Sequence, residues 1–114
     1  MATEQKGEEQ RRSPRRAAGW RCIVKSPASG LLQGRVENAS AQGFLLELAS
    51  TLQDGEIATI KIEVMFAGRR WEFVTQAQVR HNVFRTNTCY VGVEITKITA
   101  KDAKFLHDFS YGII

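Results

Sequence analysis

Alternation of apolar and polar side chains with a period of two runs along most of this 114-residue chain. Ile60, Ile62, Val64 and Phe66 interleave with Lys61, Glu63 and Met65. Beyond Ala67-Gly68-Arg69-Arg70 the pattern returns through Trp71, Phe73, Thr75, Ala77 and Val79. Trp20, Cys22 and Val24, then Phe44, Leu46 and Leu48, and later Cys89, Val91, Val93 and Ile95 repeat it. Successive strand side chains point to opposite faces, so each run buries one face and wets the other. Leu31 to Glu37 reads as one more strand. Turn formers separate the runs at Pro27-Ala28-Ser29-Gly30, Asn38 to Gly43 and Gln53-Asp54-Gly55, and His81 to Thr88 reads as a polar loop. No connection is long enough for a parallel crossover, so six short strands predict an antiparallel β-barrel.

The last segment changes period. Thr99 can cap a helix with Asp102 as its capping-box partner, and Ile98 can pack on Ala103 as a staple. Phe105, Leu106 and Phe109 would form the apolar side of that helix, which closes the barrel. Trp20, Phe44, Trp71 and Phe73 fall on inward positions and read as core.

Composition narrows the function classes. With 43% apolar and 25% charged residues the chain is an ordinary globular domain, near the size of one core. No run approaches the length of a membrane helix, and no apolar leader is visible near Met1, so a cytoplasmic protein is expected. Cys22 and Cys89 with His81 and His107 do not make a zinc spacing, which predicts reduced, buried thiols and no metal. Serines and aspartates sit in turns and caps, and no nucleophile, acid and base come together. An enzyme is not expected, nor a cofactor.

The net charge of +4 is unevenly placed. Residues 1–25 carry seven basic and three acidic side chains, whereas the remaining 89 residues carry nine of each. A concentrated anion site fits this distribution better than a basic stripe for duplex nucleic acid. Arg11-Arg12-Ser13-Pro14-Arg15-Arg16 supplies planar guanidinium forks that grip phosphate oxygens or guanine O6 and N7. Asn38-Ala39-Ser40-Ala41-Gln42-Gly43 supplies an amide, a hydroxyl and exposed backbone. The bland alternatives are a solvated basic tail and a simple Asx or Ser turn in which Gly43 takes a positive φ.

The pairing of RxxxR with NxSxxG resembles the signature of PilZ domains, bacterial receptors for cyclic di-GMP (c-di-GMP), over roughly residues 10 to 110. RxxxR falls on Arg11 and Arg15 or, one step along, on Arg12 and Arg16, and the former register is favoured because Trp20 then starts the first core strand. NxSxxG falls on Asn38, Ser40 and Gly43, with Asn where Asp is commoner. The resemblance implies that the arginines contact guanine and phosphate and that Asn38 and Ser40 hydrogen-bond guanine. Arg80, beside His81, stands where some members place a stacking group.

The expected organisation is a disordered tail over residues 1–10, an arginine-rich arm over 11–18 and a PilZ-like barrel with its C-terminal helix over 19–114. The expected function is c-di-GMP reception in motility or biofilm signalling: the ligand orders the arm, and output passes to an unidentified effector protein, with no membrane, DNA or RNA partner. Two rivals remain open. One is a small nucleic-acid-binding barrel, for which only Phe84 and Tyr90 look available as outward stacking rings; the other is a PilZ-like interaction module that binds no ligand.

Overall fold

Each period-two run forms a strand, and their pairing closes a barrel. The computed structural model describes residues 14–114. Its elements are β1 (Arg16–Ser26), β2 (Gly30–Ala39), β3 (Gly43–Leu48), β4 (Ile57–Phe66), β5 (Arg69–Arg85), β6 (Thr88–Lys97) and α1 (Ala100–Ser110). The strands close in the order β1-β2-β3-β6-β5-β4, antiparallel throughout. The sequence-distant pairs β3–β6 and β1–β4 complete the ring, the latter through Arg21 opposite Glu63, Cys22 opposite Ile62 and Val24 opposite Ile60. Among the described residues, closure leaves no long unpaired strand edge.

Inward positions fill the barrel as the alternation requires: Val24, Val36, Leu46, Ile60, Ile62, Val64 and Val91 are all fully buried. The β4–β5 hairpin turns on Ala67 (φ 53°) and Gly68 (φ 75°). Two consecutive positive φ values make a type I′ turn, whose twist matches the flanking strands. Cys22 and Cys89 are free and buried, and burial pushes the Cys22 thiol up to about 12.

Helix α1 plugs one end of the barrel. Thr99 caps it: its Oγ1 accepts from the Asp102 amide at 3.2 Å and donates to the Asp102 carboxylate at 2.8 Å. Leu106 and Phe109 are buried beneath it, and Ile98 packs against the core. Trp20 lies 4.8 Å from Phe109, Trp71 lies 5.0 Å from Phe105, and Phe66 meets Phe109 edge-on at 5.6 Å. Trp20 also donates its indole N–H to the Met65 carbonyl at 3.2 Å. Of the four aromatics expected in the core, Trp20, Phe44 and Phe73 are buried and Trp71 is half-buried against the helix.

Three boundaries differ from those read in the sequence. His81 to Thr88 is not a loop, because β5 continues to Arg85 and pairs with β6 from Asn82–Val91 to Arg85–Thr88. Asn82 explains part of this: its side chain accepts from the Leu52 amide at 3.1 Å and donates to the Leu52 carbonyl at 2.9 Å, acting as a strand partner. Second, β2 runs on to Ala39, so Asn38 lies on a strand rather than in a turn. Third, β1 already includes Arg16, Ala17 and Ala18, which were assigned to the arm.

Candidate ligand site at the barrel rim

Strand register brings the start of β1 beside the Asn38–Gly43 segment. Arg16 stands opposite Ala39 and Ala17 opposite Asn38 on β1 and β2. The register then shifts between Ala17 and Trp20, where Gly19 takes φ +68°. This bulge, which only glycine tolerates well, re-aims the start of β1 relative to the rest of the barrel. Arg15 precedes the strand and is exposed. Arg11 and Arg12 lie outside the described residues.

From Asn38 the pairing continues outward-facing across the sheet, to Leu45 on β3, Gly92 on β6 and His81 on β5. Residues directly opposite in a ladder share a face. Ala17, Asn38, Leu45, Gly92 and His81 thus form one rib, low at Ala17 and with the His81 ring lying over Gly92. The Asn38 amide makes no hydrogen bond among the described residues, so its acceptor and donor remain available to a ligand.

Ser40 is used differently. It is 7% exposed, and its Oγ accepts from the Gln42 amide at 3.2 Å and the Gly43 amide at 3.1 Å while donating to the Gly43 carbonyl at 3.2 Å. The Ser40 amide also donates to that carbonyl at 2.9 Å. Its hydroxyl thus shapes the turn that follows β2 and leads into β3. Gly43 is not among the positive-φ glycines; it is required because a β-carbon there would strike the Val93 carbonyl. The turn is pressed onto β6, and the Ile95 amide fixes it by donating to the Gln42 carbonyl at 2.8 Å.

Arg80 lies within β5, at the register shift between Val79 and His81. Its guanidinium pairs with Glu94 at 3.3 Å and donates to the Gln78 side chain at 3.0 Å. Glu94 stands opposite Gly43, which places this ion pair beside the turn. More than half of the Arg80 side chain is exposed, and an exposed pair of this kind holds it only weakly.

Arg16 departs from the sequence expectation. Its Nη1 donates to the Phe109 carbonyl at 3.0 Å and the Ile114 carbonyl at 2.8 Å, and its guanidinium carbon sits 4.5 Å from the Phe109 ring. The signal was present in the sequence: counting back by twos from Trp20 through Ala18 puts Arg16 in the inward phase. The rib residues Leu45, Gly92 and His81 were missed because only the pairing of β3, β6 and β5 assembles them. A separate groove of about 490 Å³ on the outer wall is lined by Arg21, Arg35, Lys61, Glu63 and Glu72 among others, but by no motif residue. Among the described residues no cluster of three metal-ligating side chains occurs.

The described residues form a small closed antiparallel barrel plugged by a helix, with Arg15 just before β1 and Asn38 near the end of β2. The PilZ domain family model matches residues 9–112, and the chain belongs to that family. In structure it is similar to the Bacillus subtilis inhibitor of motility MotI/DgrA, with a TM-score of 0.79 and 20% identity over 91% of this chain and 50% of that one. It is also similar to the PilZ domain with c-di-GMP of YcgR from Escherichia coli, with a TM-score of 0.71 and 20% identity over 90% of each chain. A longer structure of Escherichia coli YcgR in complex with c-di-GMP matches with a TM-score of 0.73 and 21% identity, over 91% of this chain and 46% of that one. The chain thus spans about half the length of MotI/DgrA and of the longer YcgR. No curated protein matches it in sequence.

Proposed function

We propose that this chain is a c-di-GMP receptor whose N-terminal arginine arm closes over the barrel rim when the ligand binds. PilZ domains are binding modules rather than enzymes. The observation that supports the reading is the β1–β2 register, which sets Arg16 opposite Ala39 and Ala17 opposite Asn38, so that the chain enters β1 just after Arg15 beside the Asn38–Gly43 segment. In this reading Arg15, with Arg11 of the same register, grips phosphate and guanine. Asn38 offers its free amide to the guanine edge, Ser40 and Gly43 hold the turn, and Arg80 swings from Glu94 to stack on a base. The engagement of Arg16 with the helix end favours the Arg11–Arg15 register over Arg12–Arg16.

The ligand must be multivalent for energetic reasons. Ordering each arm residue costs roughly 1–2 kcal/mol of backbone entropy. A hydrogen bond to a charged group returns about 1.5–3 kcal/mol. Several arginine contacts must therefore form together, and a molecule with two phosphates and two guanines offers that number. The closed arm would be the surface a downstream effector protein reads, in a cytoplasmic pathway of the motility or biofilm kind.

Isothermal titration with c-di-GMP, with GTP and a short oligonucleotide as controls, tests the reading. Saturable binding of c-di-GMP alone is the expected result. Preference for the oligonucleotide would favour a nucleic-acid-binding barrel using rings such as Phe84, which is 70% exposed. No binding of any ligand would leave a pure interaction module.

A further inference from the structure

We infer that Arg16 is a positioning residue, a clasp that fastens the root of the arm to the C-terminal end of α1 and thereby couples ligand capture at the rim to the packing of that helix end. Its ligand-dependent part rests on the c-di-GMP reading; the clasp itself does not.

Helix α1 ends in a glycine motif. The Gly112 amide donates to the Phe109 carbonyl at 3.1 Å, the Ile113 amide donates to the Asp108 carbonyl at 2.9 Å, and Gly112 takes φ +72°. These are the two bonds of a Schellman cap. Even so capped, a helix C-terminus carries partial negative charge, and each carbonyl keeps a second lone pair. The two hydrogens on Arg16 Nη1 go to Phe109 and Ile114. Its guanidinium also sits 4.5 Å from the Phe109 ring centre and 5.6 Å from that of Phe66. A lysine could supply charge there, but not the planar fork lying against rings.

The clasp matters because of where Arg16 lies in the chain. It is the first residue of β1, half-buried, one residue after Arg15 and opposite Ala39 of the motif. With Arg16 drawn inward, alternation sends its neighbour Arg15 outward, and Arg15 is exposed. Reaching the rim itself would cost Arg16 two charge-assisted bonds and two ring contacts. Its contribution to binding is therefore indirect, through the direction in which Arg15 leaves the sheet. The helix end it fastens presents Tyr111, Ile113 and Ile114 to solvent.

The test compares Arg16→Ala, Arg16→Lys and Arg15→Ala with the wild-type chain. Without ligand, amide exchange is followed at residues 15–19 and 109–114, together with Trp20 fluorescence. Arg16→Ala should raise exchange in both segments at once and alter the emission of Trp20, which packs on Phe109; Arg16→Lys should restore part of the protection, and Arg15→Ala should change neither. With c-di-GMP, Arg16→Ala should weaken binding about tenfold, equivalent to about 1.4 kcal/mol, and keep the wild-type salt dependence. Arg15→Ala should weaken binding and flatten that dependence. Wild-type exchange at 109–114 in Arg16→Ala, or a salt dependence flattened as in Arg15→Ala, would overturn the inference. If the wild-type chain fails to bind c-di-GMP, the proposed function falls, and the ligand-free exchange still decides whether the clasp exists.

Discussion

The His81 ring occupies the space that a β-carbon on Gly92 would need, with its Nδ1 2.9 Å from that position and two further ring atoms nearer still. The two residues are directly opposite on β5 and β6, just past the register shift at Arg80. An imidazole thus covers bare backbone in the rib that leads from Asn38.

Substituting the two close-packed glycines should have contrasting effects. In Gly92→Ala the obstacle is the end of a side chain that can swing away, so stability should change by less than about 1 kcal/mol while the His81 ring resonances shift by NMR. In Gly43→Ala the obstacle is the Val93 backbone carbonyl, which cannot move without disturbing β6. Overpacking of that kind costs about 1–3 kcal/mol, and thermal denaturation should show it.

Asn38 and Ser40 should separate binding from folding. Asn38→Ala removes no hydrogen bond among the described residues, so its stability should stay within about 0.5 kcal/mol of wild type. Its c-di-GMP affinity should fall about tenfold or more. Ser40→Ala removes the hydroxyl that organises the turn and should cost about 1–2 kcal/mol. Urea unfolding and titration of each variant check the contrast, which fails if Asn38→Ala is the less stable of the two.

The two described arginines on the rim should rank differently as ligand contacts. Arg15→Ala should lower c-di-GMP affinity well over tenfold through loss of charge-assisted bonds worth about 1.5–3 kcal/mol each. Arg80→Ala removes one exposed ion pair and one exposed hydrogen bond to Gln78, so it should leave the melting temperature nearly unchanged and reduce affinity only severalfold. Equal affinities for Arg15→Ala and wild type would remove Arg15 from the site.

Acid sensitivity should trace partly to Glu56. Burial pushes its carboxyl up, but hydrogen bonds from Ser26 Oγ at 2.8 Å, the Gln53 amide at 2.8 Å and the Ala28 amide at 3.3 Å outweigh burial and hold it below the ordinary 4.5. A carboxyl with a folded pKa below its unfolded one stabilises fully above the unfolded value, and the benefit disappears as pH falls through the folded value. Glu56→Gln should therefore lose stability at pH 7, by about 1 kcal/mol on the scale of a net hydrogen bond, and converge on wild type as pH falls through the lowered folded value. Denaturant midpoints measured from pH 3 to 7 give the comparison.

Much of the barrel could be read from local pattern. The phase of Trp20, Cys22 and Val24, of Ile60 to Val64 and of Phe44 to Leu48 fixed which side chains turn inward, and Thr99 with Asp102 marked the helix start. Polarity misled at His81 to Thr88, because a hairpin extending β5 and β6 needs only one well-paired face. Asn38 read as a turn residue, yet its position is set by the ladder with Ala17 and Leu45 rather than by its own propensity.

For the candidate site, the residue types in the arm and in Asn38 to Gly43 were legible, since charge and hydrogen-bonding capacity belong to a side chain wherever it lies. Their arrangement was not. Neither the pressure of Val93 on Gly43 nor the rib from Ala17 to His81 leaves a local trace, and the inward phase of Arg16 does not reveal that its partner is the end of α1. Each depends on pairing between segments far apart in sequence, which the whole closed ring selects. Alternation decides which way a side chain faces; only closure of the barrel decides what stands opposite it.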